Sequence, residues 1–286
     1  MLYQAELRSL PAGNQGMRIS AECKSAFEFI SLMQLHFESY GQGPPLIILH
    51  GLFGSLENWH SISRNLAADF RVLAVDQRNH GRSPHAPEMS YHLMADDLKE
   101  FFAAEHLESV NLLGHSMGGK TAMLFALIYP DLVEKLVVVD IAPRAYPPHH
   151  REILSALGSL DLRSFKSRAE IEAQLAPRIP DLAVRQFLLK NVKRDQAANF
   201  YWQMNLAAID ANYDRLSEEI SGQHSFNKPA LFVRGERSDY IRDEDVSSIQ
   251  KLFPRTEFCE IAGAGHWVHA EKPEPFLRTV REFLKY

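Results

Sequence analysis

A serine, an acid and a histidine, met in that order along a chain, are the groups that split an ester by nucleophilic attack. The stretch "LLGHSMGGKTA" (112–122) carries Ser116 inside Gly114-His115-Ser116-Met117-Gly118. That spelling, G-x-S-x-G, marks a sharp strand-to-helix turn that lifts a serine hydroxyl clear of the backbone. The hydroxyl is a weak nucleophile until a histidine takes its proton and an acid holds that histidine in one tautomer. "IAGAGHWVHAEKP" (261–273) offers His266 in a glycine-rich loop that follows an apolar run. Upstream, "LIILHGLFGS" (46–55) ends a strand-like run in His50-Gly51, where small residues leave amides free to meet an oxyanion.

The same stretch also spells a phosphate cradle, because Gly114 through Thr121 fits G-x-x-x-x-G-K-T. By chance the serine motif turns up about 0.1 times in a chain of this size and the cradle about 0.01 times, so spelling alone favours the cradle. Asp140, closing "KLVVVD", could even supply the Mg²⁺ partner that a nucleotide site wants. The rest of the chain decides otherwise. A nucleotide site leaves the His50-Gly51 loop and the Gly265-His266 loop unexplained, whereas a serine hydrolase needs both. On this reading Lys120 and Thr121 are ordinary helix residues one turn beyond the serine.

Composition sets wide bounds. The chain has 286 residues, is 45% hydrophobic and 23% charged, and carries a formal charge of −5. That balance suits a globular protein with a substantial core and opposes a nucleic-acid or anionic-membrane surface. No apolar run reaches the roughly 18 residues of a membrane span, and the first residues lack a basic leader with an apolar core. Two cysteines, Cys23 and Cys259, give no disulfide framework and no metal spacing, so a cytoplasmic location is expected. Cys259 reads as a small buried hydrophobe.

Short apolar runs alternate with amphipathic stretches, the pattern of an α/β protein with a parallel sheet covered by helices on both faces. The strand candidates are 45–51, 70–76, 109–115, 135–142, 229–235 and 257–263. Each ends in loop residues, and the carboxyl ends of parallel strands are where sites form. Residues 144–228 break the rhythm with four helical patterns and no clear strand, which reads as a helical cap over the site. The core is then 33–143 with 229–286, and residues 1–32 form an N-terminal extension dispensable for chemistry.

Five stretches together resemble the α/β-hydrolase superfamily across residues 33–286, with a close likeness to its YbfF-type esterases. They are "LHGLFGSLENW" (49–59), "DQRNHGRSPH" (76–85), "GHSMGGKTAM" (114–123), "VVDIAP" (138–143) and "GAGHWVHAEKP" (263–273). The resemblance implies an eight-stranded, mostly parallel sheet with the cap between strands 6 and 7. It implies hydrolysis of carboxylic esters or thioesters, with no metal and no organic cofactor. Carried over by position, Ser116 is the nucleophile and His266 the general base, and the amides of Met117 and Leu52, with Phe53 as the alternative, hold the oxyanion. Most of the superfamily places the acid three residues past the glycine of "PALFVRG", which here is Ser238 with Asp239 next to it. YbfF-type esterases look instead to Asp140, which is favoured. Asp76, Arg78 and Ser83 brace neighbouring loops.

Weaker assignments complete the set. Phe187, Phe200, Tyr201 and Trp202 are candidates for an acyl pocket, though aromatics at such spacings more often form a cap's own core. His269 lies three residues after His266 but has no carboxylate or cysteine companions for a metal. His80, His85, His149 and His150 read as surface loop residues. Haloalkane dehalogenases and epoxide hydrolases need an aspartate where Ser116 stands. Carbon–carbon hydrolases and perhydrolases keep the serine and remain alternatives for this small-molecule enzyme, whose oligomeric state is left open.

Overall fold

The computed structural model describes residues 33–222 and 224–285. The expected extension, 1–32, lies outside them. The elements run β1 Phe37–Tyr40, β2 Pro45–Leu49, α1 His60–Leu66, β3 Arg71–Val75, α2 Tyr91–Ala104, β4 Val110–His115, α3 Met117–Ile128 and β5 Val133–Val139. Next come α4 Arg151–Gly158, α5 Arg168–Leu175, α6 Leu182–Leu189, β6 Val192–Arg194, β7 Phe200–Trp202, α7 Leu206–Ala211 and α8 Tyr213–Ser217. The chain then returns through β8 Ala230–Gly235, α9 Val246–Leu252, β9 Thr256–Ile261, α10 Val268–Glu271 and α11 Pro273–Lys285.

Seven strands form one sheet in the order β1-β3-β2-β4-β5-β8-β9. Only β1 runs antiparallel, against β3, with Phe37 opposite Val75. Among the described residues the sheet therefore has seven strands, not eight. All six expected runs are strands, and the antiparallel edge strand adds the seventh. It is four residues long and half-exposed, too short to stand out as an apolar run.

Alternation along the strands splits the interior in two. Ile47, Leu49, Leu73, Val75, Leu112 and Val138 face α2 and α3, where Leu98, Phe102, Met123 and Phe125 are buried against them. Leu46, Ile48, Val72, Leu113, Val137 and Val233 face α1 and α11, whose Ile62, Leu66, Phe276 and Val280 close the other side. Because a strand's side chains alternate between faces, a parallel strand covered on both reads as an unbroken apolar run.

Between β5 and β8 the chain leaves the sheet. It forms the short helices α4 to α8, as expected, and also an antiparallel hairpin, β6 against β7, with Lys193 opposite Tyr201. The hairpin corrects the all-helical reading of this interval. Its strands are three residues each, shorter than any periodic signal can reveal. No described helix is long and apolar enough to cross a membrane.

Candidate active site

Strand ends bring the site together. β4 runs into Ser116, whose backbone sits at φ 53°, ψ −118°, and α3 starts at the next residue. Such a left-handed serine is strained, and it persists because strand and helix are packed too tightly to relax it. A Cβ on Gly114 would lie 2.1 Å from the carbonyl oxygen of Gly118, and one on Gly118 would lie 2.5 Å from that of Leu49. Only glycine allows that approach, so the two glycines of the motif are a steric requirement of the turn.

β5, next to β4, ends at Asp140, again left-handed at φ 51° and fully buried. Its Oδ1 accepts the Gly235 N–H at 3.0 Å, and its Oδ2 accepts the Ser238 hydroxyl. The same Oδ2 lies 2.7 Å from His266 Nδ1. With Nδ1–H donating to the carboxylate, the neutral ring keeps its Nε2 lone pair for Ser116 Oγ, 3.1 Å away. The arrangement can therefore move the serine proton onto Nε2 while the buried carboxylate offsets the charge that forms. Asp239 is exposed, and only its backbone carbonyl is engaged, by Arg144 at 3.1 Å. Ser238, at the position that most of the superfamily gives to the acid, instead donates a hydrogen bond to the Asp140 carboxylate.

Two aromatic supports flank His266. Tyr240 stacks on its ring at 4.0 Å with an interplanar angle of 21°. His115 donates Nε2–H to the His266 carbonyl at 2.9 Å, which pins the loop rather than the ring. His269 is buried and stacked on Trp59 at 4.0 Å, so its role is packing. Burial pushes the His269 imidazole down to about 3 and that of His115 well below the ordinary range.

The loop after β2 supplies amides. Phe53 is left-handed at φ 59°, and its N–H is already given to His80 Nε2 at 3.3 Å. His80 can accept it because its Nδ1–H donates to the Arg78 carbonyl at 3.0 Å. Leu52 and Met117 N–H have no partner among the described residues. His80 is thus wholly buried and neutral, held down to about 3 by burial, which corrects its reading as a surface residue. The next loop is braced as expected. Asp76 accepts the amides of Leu56 and Arg82, Ser83 bonds the Asp76 carbonyl, and Arg78 forks onto the buried carboxylate of Asp97 at 2.5 Å.

Ser116 opens on a cavity of about 500 Å³, walled by Leu52, Trp59, Phe187, His266 and Trp267. Phe187 is the one aromatic of the four expected that lines it. Phe200 is buried beneath Arg194, Tyr201 is exposed, and Trp202 lies half-buried on the same strand. A smaller space of about 50 Å³ meets the first at Ser116, Leu52, His150 and Tyr240. His85 and His149 are exposed as expected, but His150 is half-buried and bonded through Nδ1 to the Tyr213 hydroxyl at 2.8 Å. Lys120, expected as an ordinary helix residue, is instead 1% exposed. Its ammonium donates to the Glu218 carbonyl and lies 4.9 Å from the Tyr146 ring centroid. An ammonium enclosed this way cannot serve a phosphate cradle. Neither Lys120 nor His150 has a local sequence signal, because their partners lie many residues away.

A strained serine at a strand end, a histidine from the last loop and a doubly wound parallel sheet define an α/β hydrolase. The alpha/beta hydrolase fold family model matches residues 44–273, and the chain belongs to that family. Within the family it is a carboxylesterase-type enzyme. It is similar to an sn-1-specific diacylglycerol lipase of Danio rerio, 36% identical over 282 residues covering 96% of this chain and 86% of that one. The esterase YbfF of Escherichia coli K12 is 36% identical over 243 residues, 84% of this chain and 92% of its own. A solved structure of a marine microorganism esterase has a TM-score of 0.86 at 47% identity, covering 88% of this chain and 99% of that one.

Proposed function

We propose that the protein hydrolyses small-molecule carboxylic esters through an acyl-enzyme on Ser116. His266 Nε2 takes the hydroxyl proton as Oγ bonds to the carbonyl carbon, and the oxyanion is held by the amides of Leu52 and Met117. Each such donor contributes roughly 10²–10³ in rate. The carbon–oxygen bond to the alcohol then breaks, and His266 returns its proton to the departing oxygen. Water, deprotonated by the same histidine, attacks the acyl carbon; the bond to Ser116 Oγ breaks, Oγ recovers its proton from His266, and the acid is freed. Asp140 keeps the imidazole in the working tautomer throughout. A thioester carbonyl enters the same sequence with a thiol as leaving group.

One observation carries this reading: the continuous contact from Ser116 Oγ through His266 to the Asp140 carboxylate, at 3.1 and 2.7 Å. The choice of Leu52 over Phe53 rests on the Phe53 amide being spent on His80. Residues 144–228 act as a cap over the core of 33–143 and 229–286, with Phe187 of α6 facing substrate. A fluorophosphonate probe should label the wild-type protein once and Ser116→Ala not at all, with loss of p-nitrophenyl acetate turnover in the variant. Retained turnover in Ser116→Ala would refute the assignment.

A further inference from the structure

Two spaces of unequal size meet at Ser116, and their walls differ in one decisive residue. The large one, about 500 Å³, includes His266 and Trp267 in its wall; the small one, about 50 Å³, does not. The small one is lined by Met117, Lys120, Tyr91, Tyr146, Tyr213 and Leu216, together with the exposed Pro147 and His149. The leaving oxygen of an ester has to receive its proton from His266 Nε2. The alcohol portion must therefore run along the wall that contains His266, into the large space. The acyl portion, on the opposite side of the carbonyl carbon, is left with the small one.

The size and end wall of that space limit what it accepts. At about 10–15 Å³ for each water-sized group, it admits about three to five such groups beyond the carbonyl. Its wall includes the amine of Lys120, lowered to about 7 by desolvation and so charged below neutral pH. Lys120 has no carboxylate partner among the described residues; its ammonium meets the Glu218 carbonyl and the rings of Tyr146 and Tyr91 at 4.9 and 5.5 Å. An alkyl chain pushed against that group would strip what hydration it keeps and give nothing in return. The hydroxyls of Tyr91 and Tyr146 are turned to the carbonyls of Leu216 and Tyr240, so this side of the wall, around Lys120, is braced.

We propose that the small space is the acyl site, that it takes short acyl groups of about two to six carbons, and that Lys120 sets this limit, while the large apolar space takes a bulky alcohol. The substrate class is then a short-chain acyl ester of a large apolar alcohol. This rests on Ser116 and His266 acting as proposed above. It also gives a purpose to a lysine whose burial is otherwise a cost, since desolvation disfavours its charged form.

Octyl acetate and ethyl octanoate are isomers with the same atoms and near-equal hydrophobicity, differing only in which side of the carbonyl is long. The wild-type protein should hydrolyse octyl acetate with kcat/KM about tenfold or more above ethyl octanoate, since single misfitting methylenes cost on that order. Lys120→Met, of similar length but uncharged, should narrow that ratio at least about fivefold. Leu216→Ala, which widens the same wall without touching the charge, should narrow it too. A wild-type ratio near one, or reversed, overturns the acyl-site assignment; a ratio unmoved in Lys120→Met while Leu216→Ala narrows it overturns the role of the lysine. If Ser116→Ala still turned over either ester, the catalytic reading would fail instead.

Discussion

Acid should unfold this protein by charging its interior before it reaches the carboxylates. His50 and His150 are pushed down to about 4 and His80 and His269 to about 3, in each case chiefly by burial. An unfolded histidine titrates near 6.5. Between those values the unfolded chain binds protons that the folded one refuses, so stability falls as pH falls from about 6.5, to about 4 for His50 and His150 and to about 3 for His80 and His269. At pH 5 each such group costs about 2 kcal/mol relative to pH 7, and four together cost about 8 kcal/mol. Asp76 and Asp97, whose carboxyls burial holds above their usual range, work in the opposite sense and offset part of this. The remainder is still comparable with a domain's whole stability of about 5–15 kcal/mol. Urea unfolding followed by tryptophan fluorescence at pH 7 and pH 5, at fixed ionic strength, reads the difference directly. His269→Phe keeps a ring against Trp59 and should remove about 2 kcal/mol of it. Unfolding free energies that agree within about 1 kcal/mol at the two pH values would refute the reasoning, as would an unchanged difference in His269→Phe.

Two further outcomes follow from the site. Asp140→Asn should lower kcat by about 10⁴ because the imidazole loses its tautomer-setting partner, while Asp239→Asn should stay within about twofold of wild type, both read with p-nitrophenyl acetate. Gly118→Ala should lower the melting temperature by about 5 °C or more, since its methyl would sit 2.5 Å from the Leu49 carbonyl oxygen; an unchanged melting temperature would mean the turn is looser than it looks.

Much of this was legible in the sequence where a physical constraint is local. A strand buried on both faces must be apolar throughout, so β2, β4, β5 and β8 stood out. The serine turn needs glycines two residues either side, so its position could be read to the residue. Other features depend on contacts made across the fold. β1, β6 and β7 are three or four residues long and exist because a neighbour pairs with them. Lys120 sits on a helix with nothing nearby in sequence to hide it, and its carbonyl partner is 98 residues away. His80 and His150 lie in polar loops that pattern alone assigns to the surface. Asp140 and Asp239 each follow a strand on the same edge of the sheet, so spacing could not separate them. What distinguishes them is that Asp140 is fully buried, where the Gly235 amide, the Ser238 hydroxyl and His266 converge on it.

The strain in the backbone is distributed with the same logic. Phe53, Ser116 and Asp140 are all left-handed without being glycine, and they follow β2, β4 and β5, three adjacent strands of the sheet. A conformation of that kind costs about 1–3 kcal/mol and persists only where neighbours hold it. Here the holders are visible. The Ser116 N–H is bonded to the Val139 carbonyl at 3.0 Å, that of Asp140 to Val233 at 2.8 Å, and that of Phe53 to His80 at 3.3 Å. For the serine and the aspartate the anchor is the next strand over, so the pairing that builds the sheet also fixes the bend at its edge. Misplacing the end of β5 by a residue would release both bends and separate the hydroxyl from its imidazole. Register within the sheet is therefore what sets the geometry of the site, while the loops contribute the histidine and the Leu52 amide and α3 begins with the amide of Met117.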